Sequence, residues 1–315
     1  MSKKILIPIS ILAIIALPIL GACAPQAAPI EDAAPEVLEL EDGLGRIVSI
    51  ELPVERIISL APSNTEILFA VGAGEQVIGR DSVSNYPEQA MQVTDIGGGW
   101  GDLNTETILT MDSDLVLAAE LTAPEQIQTL EDLGLTVYAL ANPVDQEGLF
   151  ENLRIVAQIT GHEDEAETLI AELRGRVDVV LAKVATVEER PLVFYELDAT
   201  DPNAPWTAGP GTFHDALINL AGGANVGSVL EGAWVQINLE ELIAQDPEII
   251  LLGDNFYGGV TPEDVASRAG WDSLSAVQKG QIYIFNDDLI SRPGPRLVDG
   301  LEELAKFLHP ELFEE

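Results

Sequence analysis

The chain is poor in cysteine, histidine and positive charge, and each shortage removes a class of function. A single cysteine, Cys23, stands in 315 residues, so neither an intramolecular disulfide nor a Cys-x-x-Cys zinc or redox site is available. Fifteen Lys and Arg against 53 Asp and Glu give a formal charge of −38. A nucleic-acid binder needs basic side chains to displace counterions, and adhesion to anionic lipid head groups needs them too; both are excluded by this balance. The three histidines, His162, His214 and His309, are scattered without metal-ligand spacing. No Gly-x-Ser-x-Gly elbow, P-loop or strand-borne Gly-x-Gly-x-x-Gly occurs, which argues against hydrolase, nucleotide-dependent and dinucleotide-dependent chemistry. The chain reads as no enzyme, with no cofactor and no resident metal.

Apolar residues make up 47% of the chain, enough for a large core, and the length suits two domains of about 150 residues each. At the start, Lys3 and Lys4 precede an apolar run over 5–20 and then Leu20-Gly21-Ala22-Cys23. A basic start, a short apolar stretch and small residues before a cut site form an export signal over residues 1–22. The apolar run is shorter than the roughly 20 residues of a membrane-spanning helix and contains Pro18. The tetrapeptide resembles a bacterial lipobox, which makes Cys23 the lipidation site and the lipid the only membrane attachment. Residues 23–44, rich in Ala, Pro, Glu and Asp without periodicity, read as a lipidated flexible tether.

Beyond the tether, continuous Val/Ile/Leu runs at 56–61, 77–80, 115–118, 136–140, 192–196, 249–252 and 282–285 predict strands covered on both faces. Helical patterns fall between them, so the class is α/β with mainly parallel sheets. Residues 145–188 lack a strand signal and carry apolar residues at helical spacing, broken at Thr160-Gly161. The predicted organisation is an N-terminal α/β lobe over 45–144, a helical connector over 145–188 and a C-terminal α/β lobe over 189–315.

The two lobes repeat one another. Residues 100–117 align without a gap on 234–251 at a constant offset of 134, pairing Trp100 with Trp234, Asn104 with Asn238, Glu106 with Glu240 and Asp112 with Asp246. Residues 63–77 align on 212–226, pairing Ser63 with Thr212 and Glu66 with Asp215 as capping boxes at helix starts. Asn104 and Asn238 are expected helix caps. Ligand crevices in open α/β sheets lie off the carboxyl ends of the strands, which would bring Trp100 and Trp234 into a cleft from opposite lobes. Trp206, in a Pro/Gly-rich loop context, is expected there as well; Trp271 reads as a packing residue. In the second unit Glu241 meets the local need for a first-turn carboxylate, leaving Glu240, and by equivalence Glu106, to face outward as a two-point docking surface for a basic partner.

Four segments, RIISLAPSNTE at 56–66, WTAGPGTF at 206–213, AGGANV at 221–226 and SRPGPR at 291–296, together with the lipobox and the two-lobe repeat, resemble the solute-binding lipoproteins of ABC importers for vitamin B12, iron-siderophores and haem. The resemblance covers about residues 45–312. It implies two Rossmann-like lobes joined by a rigid helical connector, with the solute between them. It implies a monomer, outside the cytoplasmic membrane, that delivers a small-molecule metal chelate to a permease dimer with its ATPase subunits. Glu106 and Glu240 take the family's docking positions. The B12-binding pattern is the nearest, with Trp100, Trp206 and Trp234 at cradle positions and Asp288 and Arg292 as the late acidic and basic pair; two further cradle positions hold Val83 and Ala119. Arg80, Arg292 and Arg296 are the basic residues expected near the solute. That scarcity of positive charge ranks a nearly neutral corrinoid above an iron-siderophore or haem.

Overall fold

The computed structural model describes residues 36–99 and 101–313. The export signal, Cys23 and Trp100 lie outside the described residues. Strands are Glu36–Glu41 (β1), Ile47–Leu52 (β2), Ile57–Ser59 (β3), Val77–Arg80 (β4), Thr94–Asp95 (β5), Leu115–Ala119 (β6), Val137–Leu140 (β7), Leu192–Glu196 (β8), Trp206–Ala208 (β9), Ala224–Asn225 (β10), Trp234–Gln236 (β11), Ile249–Leu252 (β12) and Ile282–Ile284 (β13). Helices are Pro62–Ala70 (α1), Thr105–Thr110 (α2), Pro124–Asp132 (α3), Gln146–Thr160 (α4), Glu163–Val184 (α5), Phe213–Leu220 (α6), Leu239–Gln245 (α7), Asn255–Gly258 (α8), Pro262–Ala266 (α9), Ser275–Lys279 (α10) and Leu297–Leu308 (α11). Among the described residues no helix is long and apolar enough to cross a membrane.

Two parallel sheets organise the fold: β5-β4-β3-β6-β7 in the first lobe and β10-β8-β12-β13 in the second. The period-two geometry of a strand sends successive side chains to opposite faces, and the core divides accordingly. Ile57, Leu115, Leu117, Tyr138 and Leu140 face one core, whereas Ile58, Val116, Ala118, Val137 and Ala139 face another on the far side of the same sheet. In the second sheet Val193, Tyr195, Ile249 and Leu251 face the first of those cores, and Phe194, Ile250 and Leu252 a third. The shared core therefore runs without a break from one lobe to the other.

The helices at 146–184 carry that continuity. Asp145 caps α4 by accepting from the Gly148 N–H, and Gly161, at φ 76°, ends it. Helix α4 packs against α1, while α5 packs against both α4 and α11. Leu173, Val177 and Val180 of α5 are buried in the shared core. Arg176 of α5 reaches Asp299 and Glu302 of α11 at 2.5 and 2.9 Å, and Arg174 reaches Glu147 of α4 at 2.6 Å. Together the two helices join the lobes, α4 through α1 of the first and α5 through α11 of the second.

Part of the predicted tether is folded. Glu36–Glu41 pairs antiparallel with Ile47–Leu52 along its whole length, turning at Asp42, whose carboxylate holds the Leu44 and Arg46 N–H groups and the Arg46 side chain. The alternation Val37-Glu-Leu-Glu-Leu40 was hidden by the acidic composition, yet Leu38 and Leu40 pack on the core and the glutamates point outward. The repeat is expressed in the backbone. Asp112 and Asp246, equivalent at the offset of 134, are the only non-glycine residues with positive φ among the described residues, at 47° and 52°. Their neighbours Asp114 and Glu248 each accept a main-chain N–H at the start of an inner strand of their own parallel sheet, from Arg56 just before β3 and from Leu192 of β8.

A core shared by both lobes predicts one cooperative thermal transition. Leu173→Ala should lower stability by about 2–5 kcal/mol and leave a single transition in calorimetry; a split into two would show that the lobes melt independently.

Candidate functional site

A cleft of about 630 Å³ lies between the lobes, and every residue lining it follows the carboxyl end of a strand. Pro62 follows β3, Val83 follows β4 and Gly99 follows β5; Leu197 and Asp198 follow β8; Gly253, Asp254, Tyr257 and Gly258 follow β12; Asp287, Asp288, Ser291 and Arg292 follow β13. That is where the sheets leave exposed chain ends in an open α/β fold. Gly97, Gly98 and Gly99 all have φ between 68° and 82°, and a Cβ on Gly97 would stand 2.4 Å from the Asp102 carbonyl, so this wall needs glycine.

The cleft is closed at one end by charges that meet across the lobes. Glu66 of α1 is 2% exposed and accepts two bonds from Arg296, at 2.8 and 2.5 Å, with Arg292 at 3.7 Å. Arg296 also lies 4.0 Å from the Tyr86 ring centre. Arg292 donates to Asn85 at 2.7 Å and to the Tyr257 hydroxyl at 2.9 Å and pairs with Asp288 at 3.0 Å; Tyr257 in turn donates to Asp288 at 2.8 Å. Burial pushes the Glu66 carboxyl up against the opposing pull of Arg296 and Arg292. Gly294 lets the chain pass over Glu66, since a Cβ there would come within 3.3 Å of the Glu66 side chain. Glu66 therefore forms no capping box: α1 begins at Pro62 after Ala61, without a side-chain cap, and Ser63 is buried within its first turn. Thr212 does cap α6, but Asp215 spends its carboxylate on Asn225 and Ser228. Both departures come from tertiary partners that local spacing does not reveal.

The other expected site residues divide. Asp288 and Arg292 line the cleft. Arg80 does not: it is 5% exposed, donates to the Ala90 and Asp81 carbonyls, and pairs with Asp95 at 3.7 Å, so its charge holds a loop rather than facing the solute space. Trp206 and Trp234 lie on the antiparallel ribbon β9–β11, where the register Trp234 to Ala208 and Gln236 to Trp206 puts both rings on one face. They are 41% and 37% exposed. Neither is in the cleft lining, but the main chain of Trp206 is bonded to Leu197 and Asp198, which are. Trp234 packs edge-on against Phe213 and His214, and His214 bonds Ser291 of the lining at 3.2 Å. Burial holds the His214 ring neutral, pushed down to about 3. Of the two positions where the family cradle has aromatics, Val83 lines the cleft and Ala119 does not.

Sequence reasoning missed Tyr257 and Asp254. Tyr257 and its neighbour Phe256, 54% and 61% exposed, sit on the single turn α8 with rings 5.0 Å apart. The signal was available as an aromatic pair flanked by Gly253, Gly258 and Gly259 directly after the apolar run 249–252. Glu106 and Glu240 are exposed in the first turns of α2 and α7, whose caps are Asn104, accepting from Thr107, and Asn238, accepting from Glu241. Among the described residues neither glutamate forms an ion pair, and no group of three or more acidic, His or Cys side chains is placed to hold a metal ion.

A sequence model of the family described as periplasmic binding protein matches residues 57–289. An uncharacterized ABC transporter substrate-binding lipoprotein of Bacillus subtilis is 31% identical over 261 residues, 81% of this chain and 80% of that protein. Among solved structures, a vitamin B12 binding protein of Vibrio cholerae superimposes with a TM-score of 0.68 at 26% identity, covering 84% of this chain and 99% of the other. A heme-binding protein of Roseiflexus sp. RS-1 gives 0.73 at 27% identity, covering 82% and 100%.

Removing Arg296 should leave the buried Glu66 charge with only Arg292, at 3.7 Å, and neither of its hydrogen-bond donors, a loss of about 3 kcal/mol. An acid whose folded-state pKa lies above its unfolded value stabilises less as pH rises through that range. The deficit of Arg296→Met, measured by denaturant unfolding, should therefore shrink from pH 8 to pH 5, and a pH-independent deficit would contradict it.

Proposed function

Because the chain belongs to the periplasmic binding protein family, we propose that it captures a corrinoid of the cobalamin type outside the cytoplasmic membrane and passes it to an ABC importer. The observation that carries the solute class is the charge of the cleft. Its lining holds Asp198, Asp254, Asp287 and Asp288 against one cation, Arg292, and that guanidinium is already committed to Asp288, Glu66, Asn85 and Tyr257. A catecholate siderophore or the propionates of haem would enter this cleft without a free basic partner, whereas a macrocycle of little net charge meets no such penalty. Tyr257 at the wall and Trp206 and Trp234 on the adjoining ribbon offer flat faces to such a ring. The heme-binding structural relative favours the alternative of haem; the absence of an uncommitted cation among the described lining residues weighs against it.

Calorimetric titration with cyanocobalamin, haemin and a ferric hydroxamate separates the readings. Cyanocobalamin should bind with a Kd of about 1 μM or tighter, near −8 kcal/mol. Trp206→Ala and Trp234→Ala should each weaken it by roughly 5- to 10-fold, about the contribution of one aromatic contact. Preference for haemin or the hydroxamate would overturn the corrinoid assignment.

Delivery is assigned to Glu106 and Glu240. They are equivalent in the repeat, exposed, and without an ion pair among the described residues, so two like carboxylates can meet two like arginines of a two-fold permease. Close interfacial charge pairs contribute roughly 1.5–7 kcal/mol. The double change Glu106→Ala and Glu240→Ala should abolish uptake in reconstituted vesicles while the calorimetric Kd stays as in wild type; normal uptake would remove the pair from the mechanism. The Cys23 lipobox supplies the anchor in this reading, with the membrane touched by lipid alone.

A further inference from the structure

In the second lobe a directed chain of hydrogen bonds ends at one carboxylate of the cleft, Asp287. Its Oδ1 accepts from the Tyr195 hydroxyl at 2.8 Å and from the Ser291 hydroxyl at 2.7 Å. A serine hydroxyl has one hydrogen, and Ser291 spends it on Asp287. The His214 ring, whose Nε2 lies 3.2 Å from the same Ser291 oxygen, must therefore donate an Nε2–H. That tautomer leaves the other ring nitrogen bare, and the enclosed Nδ1 of His214 has no partner among the described residues. The polarity runs from His214 to Ser291 to Asp287, with Tyr195 feeding the same oxygen.

This chain is built into the lobe. Tyr195 and His214 are 0% and 1% exposed, so the donors behind Asp287 are sealed from water. Gly253 makes room for them: a Cβ there would stand 2.7 Å from the Tyr195 hydroxyl and 2.9 Å from Asp287 Oδ1. Asp287 is half-buried in the cleft lining. Two hydroxyls fill the lone pairs of its Oδ1. Its Oδ2 is not enclosed, and among the described residues it meets neither a hydrogen-bond donor nor an ion pair. The other lining aspartates differ. Asp288 is taken up by Arg292 and Tyr257, and Asp198 is exposed and holds the Thr200 N–H. Asp254 has its Oδ1 enclosed and the Ala199 N–H as a donor to its carboxyl. Asp287 combines a carboxylate fixed from behind with an oxygen open to the solute space.

We propose that Asp287 is a specificity-determining residue of the cleft: its Oδ2 accepts a hydrogen bond from a carboxamide on the edge of the solute, and Ser291 and His214 are the positioning residues that aim it. This rests on the corrinoid capture proposed above and narrows the class to corrinoids whose peripheral acid groups are amidated. An amide N–H meets a carboxylate as a donor, in a charge-assisted bond. A carboxylate in the same place brings only acceptors and a like charge. Arg292 and Arg296, held by Asp288 and Glu66, do not offset it. An acceptor already fixed from behind loses little freedom when the solute arrives.

The experiment is calorimetric titration at neutral pH with dicyanocobinamide, which keeps the amides, with dicyanocobyrinic acid, which has carboxylates in their place, and with haemin. Wild type should bind the cobinamide about 100-fold more tightly than the acid. Asp287→Asn keeps an oxygen for Tyr195 and Ser291 and turns an amide NH2 to the solute. It should bind the cobinamide about 10-fold more weakly than wild type and the acid more tightly. Ser291→Ala keeps the charge but cuts the link to His214; it should weaken the cobinamide severalfold and still refuse the acid, and Ser291→Thr, which restores the hydroxyl, should recover the loss. Equal binding of both corrinoids by wild type, or an unchanged ratio of their affinities in Asp287→Asn, overturns the assignment. If circular dichroism shows Asp287→Asn unfolded, Ser291→Ala decides, and an unchanged cobinamide affinity there overturns it. If wild type takes haemin and neither corrinoid, the corrinoid reading fails; Asp287 then stands if Asp287→Asn tightens haemin by relieving its carboxylates, and falls if it does not. If none of the three binds, both fall.

Discussion

The ion cluster around Glu66 is the interaction on which the cleft depends. A carboxylate on the first helix of one lobe is sealed under two guanidiniums of the other, and those guanidiniums also reach Asn85 and the Tyr86 ring on one side and Tyr257 and Asp288 on the other. A buried pair contributes little net stability compared with an apolar contact of equal size, but it has one satisfactory geometry and many poor ones. Here that selectivity fixes the distance between lobes at the floor of the cleft. The apolar core then holds what the charges position, since it runs from sheet to sheet through residues of α1, α4, α5 and α11.

Such a joint has consequences for dynamics. Hinged binding proteins close over their solutes through strands or loops that absorb large changes in dihedral angle. In this chain the connection is a pair of helices, α4 packed on α1 of the first lobe and the 22-residue α5 packed on α11 of the second, with Arg174 and Arg176 tying α5 to α4 and α11. A connection built of packed helices favours selection by the lining of the cleft over selection by closure. A lining with four aspartates and one committed arginine selects chiefly by what it refuses.

Much of this was legible in the residues. The seven apolar runs became strands at nearly the predicted bounds, because strands covered on both faces leave no room for polar interruption. The break at Thr160-Gly161 separated two helices because Gly161 takes the left-handed conformation that ends one. The offset of 134 brought together Asp112 and Asp246, whose unusual backbone confirms that the equivalence is structural. Short or polar strands were not legible: β5 and β10 have two residues each, and β9 and β11 are tryptophan-bearing segments whose Pro and Gly neighbours read as loop.

What the sequence determined by itself was the α/β class, the duplication, the two helices between the lobes, and the poverty of positive charge that limits the solute. Those properties are local or additive: periodicity, spacing and composition do not depend on which distant residues meet. Tertiary structure alone decided the fate of each charged side chain. Glu66 and Arg80 had ordinary local readings, a helix cap and a pocket base, and both were overruled by partners the sequence spacing does not reveal: Arg296, 230 residues from Glu66, and the Ala90 and Asp81 carbonyls around Arg80. Glu196, at the end of β8, is fully buried only because Arg268, 72 positions on, meets it there.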